Sequence, residues 1–373
     1  MRTVGVEEEL LLVDARGAAS PVAPLALADA PDAGGGPAVS AEIQQEMIET
    51  QTRPCETMTA LLADIVAGRE LADRLARPHG ARAAALAMSP LRMRPHATTD
   101  DRYEQMMQRY GVTARGTLVC GCHVHVGIAS REEGVAVLDR IRVWLPVLLA
   151  LTTNSPYAGG VDTGHASYRF VVWHQWQSAG PTDVFGSVEA YDRFERLLVD
   201  TGVILDKGML YLDARLSHKQ PTIEVRVADV CLDARDTVVL AALVRALVET
   251  AAAQWRAGEP PIPLPSAALR LAEWQAALTG VSGRLPHPGT GLAGSAADAL
   301  AALLAHTTPA LERTGDLALV RRGLARIVRT GGGAGRQRAA FARRGRMRDV
   351  VAAAVAATHE ESQDDDGDDR DVA

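Results

Sequence analysis

Short apolar or alternating segments are concentrated in the first 230 residues of the chain, and a period of two predicts β-strands. These segments span residues 3–14, 83–88, 117–128, 209–216 and 221–229. Helical spacing of apolar residues predicts helices at about residues 56–75, 100–110, 132–152, 189–200, 235–257, 266–279, 295–313, 315–329 and 336–357, with a glycine-rich break at 330–335. Since most strands precede most helices, we expect an α+β fold rather than alternating βαβ units.

Four of these strands pair an apolar face with a face that carries ionisable side chains, because successive residues of a strand point to opposite sides. Glu8 is the one acid that falls on the apolar side of its strand. The opposite faces carry Glu7 and Glu9, His123 and His125, Asp213 and Arg215, and Glu224 and Arg226.

Two interpretations of these charged faces stay open on periodicity alone. An antiparallel sheet with one solvated face explains the alternation, but it does not explain the choice of glutamate, which is depleted in strands. If the strands are neighbours, the like charges of Glu7, Glu9 and Glu224 need cations between them. Hard divalent ions such as Mg²⁺ or Mn²⁺ would serve, because they prefer oxygen ligands.

Two smaller features have ordinary explanations. Glu42 and Glu49 are seven residues apart, so both project from one side if residues 41–52 form a helix. Acids with that spacing are more often surface residues than ligands. Cys120 and Cys122 fall on the apolar face of their strand, which favours buried structural thiols over nucleophiles or metal ligands.

The charge of the chain is concentrated at its C-terminus. The 373 residues carry a formal charge of −7, and residues 359–373 hold eight acids and one arginine. The body therefore has 38 basic and 38 acidic residues, and this balance argues against a nucleic-acid partner. The acidic tail, 359–373, is predicted to be disordered.

The segment 321–348 contains ten arginines and no acid. It could bind an anion or a nucleic acid, but a solvated helix face that attracts the acidic tail is the simpler interpretation. The N-terminus lacks the apolar run of a secretory signal, and no stretch reaches ~18 uninterrupted apolar residues. We therefore expect a cytoplasmic protein without a membrane partner.

Six motifs follow one another along most of residues 3–250. They are Gly5-Val6-Glu7-Glu8-Glu9, residues 42–52, Cys122-His123-Val124-His125-Val126-Gly127, Ala166-Ser167-Tyr168-Arg169, Gly180-Pro181 leading to Phe185-Gly186-Ser187, and Thr222-Ile223-Glu224-Val225-Arg226-Val227 followed by Ala228-Asp229. In this order they resemble the type-2 glutamate–cysteine ligase family, the carboxylate–amine ligases of the YbdK type. The run 335–338 resembles a C-terminal feature of the family more loosely.

The resemblance implies a glutamine-synthetase-like fold, in which a curved antiparallel sheet cups ATP and Mg²⁺ or Mn²⁺. It implies one catalytic domain over residues 1–358, sheet-forming in 1–230 and helical in 231–358, and it allows a homodimer. The positions that match metal ligands are Glu7, Glu9, Glu42, Glu49, His125 and Glu224. Arg226 and Arg169 match catalytic positions for the transferring phosphoryl group and for a phosphate or substrate carboxylate. His123, Arg169, Arg226 and Arg336 match positions that contact substrate or nucleotide.

The implied reaction is ATP-dependent amide formation between a carboxylate and an amine, with glutamate and cysteine as the family's named pair. Departures from the family pattern at residues 89–90, 161–165 and 213–217 leave the substrates of this chain open. No Walker A sequence is present, so ATP would be held by metals and arginines. One alternative is a metal-dependent hydrolase that uses His123, His125 and the carboxylates. Another is a non-catalytic protein that binds a partner through 321–348.

Overall fold

A computed structural model describes residues 1–30 and 36–360 of the chain. Within these ranges no helix is long and apolar enough to cross a membrane. Of the predicted acidic tail, residues 361–373 lie outside the described part.

The centre of the fold is a seven-stranded antiparallel sheet. Its strands are β1 (Val4–Asp14), β2 (Ala38–Ala41), β3 (Met47–Gln51), β4 (Ala81–Ala84), β5 (Gly121–Gly127), β8 (Ala214–Leu216) and β9 (Thr222–Asp229). They are ordered β2-β3-β1-β5-β9-β8, and β4 pairs with the far end of β1. Two small hairpins are formed by β6 (Tyr157–Ala158) with β7 (Val161–Asp162) and by β10 (Arg284–Pro286) with β11 (Ala293–Ser295).

Fourteen α-helices are found in the described ranges. They are α1 (Ala23–Ala28), α2 (Met58–Ala76), α3 (Asp101–Tyr110), α4 (Val112–Gly116), α5 (Arg131–Ile141), α6 (Leu145–Thr152), α7 (Tyr168–Trp173), α8 (Val188–Asp200), α9 (Ala234–Arg256), α10 (Ser266–Thr279), α11 (Ala296–Thr314), α12 (Leu317–Thr330), α13 (Gly332–Arg344) and α14 (Met347–Thr358). Several begin at a side-chain cap that accepts a hydrogen bond from the first turn: Thr57, Ser130, Ser187 and Asp233 do so. The prediction of an α+β fold with an antiparallel sheet is confirmed.

The apolar face of the sheet packs on a helical layer whose central member is α9. Fifteen of the 23 residues of α9 are buried, and one continuous apolar cluster runs from Val4 on β1 to Ile327 on α12. Because this core joins the sheet to the C-terminal helices, the helical half covers one face of the sheet. The other face is left for the charged side chains.

Several predicted elements differ from the observed ones. The helix considered as one possibility for residues 41–52 does not form, because β2 and β3 make a hairpin there. The helix predicted at 132–152 is interrupted by a 3₁₀ turn, Arg142–Trp144, just before Pro146. The glycine-rich break predicted at 330–335 is shorter: Gly331 separates α12 from α13, which begins at Gly332, and both glycines have a positive φ. Gly345 divides the predicted last helix into α13 and α14. The strand predicted at 209–216 is shorter than expected and comprises only β8, Ala214–Leu216.

Candidate active site

The strand register places the predicted acids and histidines side by side. On β1, Glu7 lies opposite His123 of β5, and Glu9 lies opposite Glu49 of β3. On the next pair of strands, His125 of β5 lies opposite Glu224 of β9. Antiparallel neighbours in register bring side chains of the same face to within contact, so the charged faces predicted from alternation form one continuous polar surface.

This surface offers three sets of ligand atoms that could each surround a cation. In each set, one ligand atom from every residue lies within 4.8 Å of the others. The sets are Glu7 with Glu49 and His123, Glu7 with His125 and Glu224, and Glu9 with Glu42 and Glu49. They share Glu7 and Glu49, and together they contain all six residues predicted as metal ligands. His123, predicted to contact substrate, also belongs to the first set.

The three sets form a row across the sheet, and the acids at the β3 end of this row, Glu9, Glu42 and Glu49, repel each other. Burial, together with the charges of Glu49 and Glu9, raises the pKa of Glu42 well above its ordinary value. Burial and the charge of Glu7 likewise raise the pKa of Glu49. Hydrogen bonds from Ser40 at 3.1 Å and Gln51 at 2.6 Å satisfy Glu49 only in part. A donor set of crowded carboxylate oxygens with one or two imidazoles fits Mg²⁺ or Mn²⁺, which would remove this repulsion.

The two histidines contact Glu7 from different positions along β5. The Nδ1 atom of His123 is 3.3 Å from Glu7, and the Nε2 atom of His125 is 3.5 Å from its other carboxylate oxygen. Burial tends to raise the pKa of Glu7, but these two histidines lower it below its ordinary value. Among the described residues, no candidate set contains both histidines.

Glu224 is held by two arginines at the opposite end of the row. The Arg215 guanidinium donates to both carboxylate oxygens, at 2.8 and 3.1 Å, and Arg226 donates to one of them. Burial would raise the pKa of Glu224, but the charges of Arg226 and Arg215 lower it below its ordinary value. Because the Nε atom of buried Arg226 has no hydrogen-bond partner, this guanidinium retains a donor for an anionic ligand.

The polar surface is the floor of a cavity of about 1100 Å³. Aromatic residues form part of its wall, including Tyr103, Trp173, Trp176 and Tyr211. Trp173 and Tyr211 are in contact, with ring centroids 4.7 Å apart. Such a cavity can enclose a ligand of nucleotide size and bind both its charged and its apolar parts.

Several lining residues were not predicted to belong to the site. They include Arg102, Arg131, Glu195, Lys207, Arg215 and His218. Arg215 had a sequence signal, since it lies on the polar face of the strand predicted at 209–216. Lys207 pairs with Glu195 at 3.0 Å, and residues so placed, on loops and helices, have no periodicity that would single them out.

The other two predicted arginines lie outside the cavity lining. Arg169 is buried beside Trp173, with its guanidinium carbon 5.7 Å from that ring, and is 3.8 Å from Asp229. A Cβ at Gly121 would lie 2.3 Å from the guanidinium of Arg169, so a larger residue there would displace this side chain. Arg336 is 3.3 Å from Asp233 and 3.5 Å from Glu360. The structure therefore gives Arg336 a structural ion pair, and its predicted contact with nucleotide gains no support.

The remaining polar residues of the strands are explained by the core. Glu8, the exception to the alternation, accepts two hydrogen bonds from buried Arg69, at 2.8 and 2.7 Å, on the core side of β1. Cys120 and Cys122 are fully buried, and burial raises the pKa of both thiols well above the ordinary value. Both are therefore poor nucleophiles, as predicted.

Comparisons with known proteins agree with this geometry. Residues 3–356 match the family model described as glutamate-cysteine ligase family 2 (GCS2). A protein of Paenarthrobacter aurescens strain TC1, provisionally named glutamate–cysteine ligase 2-1, is 50% identical over 95% of this chain and 94% of its own length. A protein of Streptomyces coelicolor, provisionally named glutamate–cysteine ligase 2, is 50% identical over 95% of this chain and 98% of its own length.

One solved structure shows the same fold at low sequence identity. It is the crystal structure of glutamate–cysteine ligase from Francisella tularensis in complex with AMP. The match has a TM-score of 0.71 and 12% identity, and it covers 97% of this chain and 89% of the other. At that identity the likeness concerns the fold alone.

Proposed function

Because the chain belongs to glutamate-cysteine ligase family 2, we propose that it is an ATP-dependent ligase that joins a carboxylate to an amine. The γ-carboxylate of glutamate and the amine of cysteine are the substrate pair that the names of its relatives suggest. The observation that carries the proposal is the row of three candidate cation sets on the cavity floor, bordered by Arg226. Such a surface fits a polyphosphate ligand rather than a neutral one.

In the proposed reaction, the γ-phosphoryl group of ATP passes to an oxygen of the substrate carboxylate, which gives an acyl phosphate and ADP. The unprotonated amine then attacks the acyl carbon, the C–O bond to phosphate breaks, and the amine loses a proton as the amide forms. For glutamate and cysteine the products are γ-glutamylcysteine, ADP and phosphate. Divalent cations, when bound, would offset the negative charge of the phosphates.

The residues of the chain have separate roles in this scheme. Glu7 and Glu49 each contribute to two cation sets and so fix the spacing between neighbouring sets. Arg226, with its unpartnered Nε atom, is the group that stabilises charge on the transferring phosphoryl. Arg215 holds Glu224 in place. Arg169, buried beside Trp173, orients that part of the wall rather than touching the reacting atoms. No protein nucleophile is required.

The two rival functions fit the structure less well. A hydrolase with one zinc on the His123–His125 pair would need both imidazoles on one metal, but each histidine joins a different set. A two-metal hydrolase would use the two sets that share Glu7, and activity without ATP would distinguish it from the ligase. In the arginine-rich segment 321–348, Arg326, Arg338 and Arg344 pair with Asp236, Asp162 and Asp349. With the Arg336–Asp233 pair, these ion pairs engage four of the ten arginines and so reduce the charge that is left for a polyanionic partner.

The test is ADP release from Mg-ATP with glutamate and a panel of amines that includes cysteine. The proposal predicts ADP release that requires both a carboxylate and an amine, and its loss in Glu224→Gln. The matched control is Glu70→Gln, which changes an exposed acid whose nearest cation is Arg74 at 3.9 Å. Activity without ATP, or equal activity in wild type and Glu224→Gln, would contradict the proposal.

A further inference from the structure

A second cluster of possible ligands lies next to the cavity but is not part of its lining. It contains His174, which directly follows α7, Asp213, which directly precedes β8, and Glu273 on α10. One ligand atom from each lies within 4.8 Å of the others. The three come from distant parts of the sequence, and they share no residue with the three sets on the sheet.

Four polar atoms of this cluster are buried without a hydrogen-bond partner. Glu273 is fully buried, and neither of its carboxylate oxygens has a hydrogen-bond partner. Asp213 is 4% exposed, and its Oδ2 atom has none either. Buried carboxylates are almost always hydrogen-bonded or paired with a charge. Asp213 and Glu273 can hydrogen-bond to each other only if they share a proton, and a bound cation is the other way to satisfy their oxygens.

The histidine is oriented as a ligand would be. The Nδ1 atom of His174 is 2.8 Å from the carbonyl oxygen of Phe170, and an imidazole with Nδ1 donating there has a free electron pair on Nε2. This Nε2 atom has no hydrogen-bond partner and is 4.0 Å from Asp213. Metal-binding histidines typically donate a hydrogen bond from the other ring nitrogen to a backbone carbonyl in this way.

The negative charge of the two carboxylates in this cluster also favours a bound cation. Two carboxylates face each other, and burial with the charge of Asp213 raises the pKa of Glu273 well above its ordinary value. Arg270 is nearby on α10, and its charge acts on both acids. Among the described residues, however, Arg270 forms no ion pair within 4.0 Å with either acid. Without a cation, the two acids must share a proton or repel each other.

We propose that His174, Asp213 and Glu273 bind one divalent transition-metal ion of the Zn²⁺ class. One imidazole nitrogen and two carboxylates form a mixed donor set that suits Zn²⁺, whereas Mg²⁺ favours oxygen alone. Three protein ligands leave a fourth position for water. Two of the three sheet sets offer the same donor types, so this cluster differs from them by its burial and by the unpartnered oxygens of Glu273 and Asp213.

A metal here would stabilise the aromatic wall of the cavity. Trp173 directly precedes His174, and Tyr211 is two residues before Asp213; these two rings are in contact across the wall. The backbone N–H of Arg226 also donates to the carbonyl oxygen of Asp213, at 2.8 Å. One ion would thus fix α7, α10 and the start of β8 relative to each other, which makes the three ligands positioning residues rather than catalytic ones.

The test counts zinc bound to the whole chain after equilibrium dialysis against Zn²⁺ in excess Mg²⁺. We expect the wild type to bind one more Zn²⁺ per chain than His174→Ala or Glu273→Gln, and Glu7→Gln, which alters two of the three sheet sets, to keep this additional ion. We expect at least 100-fold weaker binding in His174→Ala and in the nearly isosteric Glu273→Gln. Zinc should raise the melting temperature of the wild type more than that of these two variants, and circular dichroism checks that both fold.

Three outcomes would overturn the proposal. The wild type could bind no zinc, in which case the acids share only a proton. His174→Ala and Glu273→Gln could keep the zinc of the wild type. Glu7→Gln could lose zinc while His174→Ala keeps it, which would assign the ion to the sheet. None of these measurements depends on ligase activity, so the proposed function can fail or stand independently of this site.

Discussion

Arg215 donates to both carboxylate oxygens of Glu224, at 2.8 and 3.1 Å, across the pair formed by β8 and β9. Arg226 uses one more acceptor site of the same carboxylate. A carboxylate has about four acceptor sites, so Glu224 retains one that can face a cation shared with Glu7 and His125. The arginines and the candidate metal set are therefore coupled through a single side chain.

The first prediction separates the two arginines. In Arg226→Lys, we expect kcat to fall about 10²- to 10³-fold, because the donor that faces the transferring phosphoryl is lost, while the KM for ATP changes much less. Arg215→Lys is the matched control. It keeps the positive charge but loses the bidentate hydrogen bonding to Glu224, and we expect kcat to fall about tenfold. Steady-state ADP release measures both, and equal losses would contradict the separate roles.

The second prediction concerns the shared ligand Glu7. In Glu7→Gln, two of the three candidate sets lose a charged oxygen, whereas Glu9→Gln affects one. We therefore expect the Mg²⁺ concentration for half-maximal activity to rise at least about tenfold in Glu7→Gln, and to rise less in Glu9→Gln. Titration of ADP release with Mg²⁺ measures this. A larger rise in Glu9→Gln would show that the sets are not used as described.

The third prediction concerns Glu8, which is adjacent to Glu7 but lies on the core side of β1. Glu8→Gln leaves the charge of buried Arg69 without its carboxylate, and we expect a loss of about 3–5 kcal/mol in the free energy of unfolding. Replacing both residues, as in Glu8→Leu with Arg69→Met, should cost less than the single change. Urea unfolding measures both variants, and a double variant that loses as much free energy of unfolding as Glu8→Gln, or more, would contradict the coupling of the pair.

The fourth prediction is a pH dependence of stability. Burial tends to raise the pKa of Asp233, but hydrogen bonds from Arg235 lower it from 3.8 to about 2. The ionised form therefore contributes about 2 kcal/mol of stability that is present above pH ~4 and lost as the pH falls toward 2. The gap in unfolding free energy between wild type and Asp233→Asn should narrow over this window. A gap that stays constant would contradict the assignment.

The polar surface of the site was predictable from sequence because strand alternation is a local pattern. It assigned Glu7, Glu9, His123, His125 and Glu224 to polar faces without any knowledge of pairing. The register that brings these faces together is set by the whole sheet, and only the family resemblance anticipated it.

The spacing of two acids along the chain could not decide between a helix and a hairpin. The seven residues from Glu42 to Glu49 fit two helical turns, but the segment forms a hairpin in which Glu49 faces Glu9. Glu42 reaches the same acids from the loop after β2. His174 and Glu273 had no local signal at all, because their contact depends on how α7 and α10 pack.

The most direct test of the ligase mechanism follows oxygen from the carboxylate. Glutamate labelled with ¹⁸O in its γ-carboxylate is incubated with Mg-ATP, cysteine and the protein, and the released phosphate is examined by mass spectrometry. Because an acyl phosphate transfers one carboxylate oxygen to phosphate, the account predicts one ¹⁸O per phosphate released, and no labelled phosphate with Glu224→Gln. Unlabelled phosphate accompanying γ-glutamylcysteine formation would contradict the acyl-phosphate route.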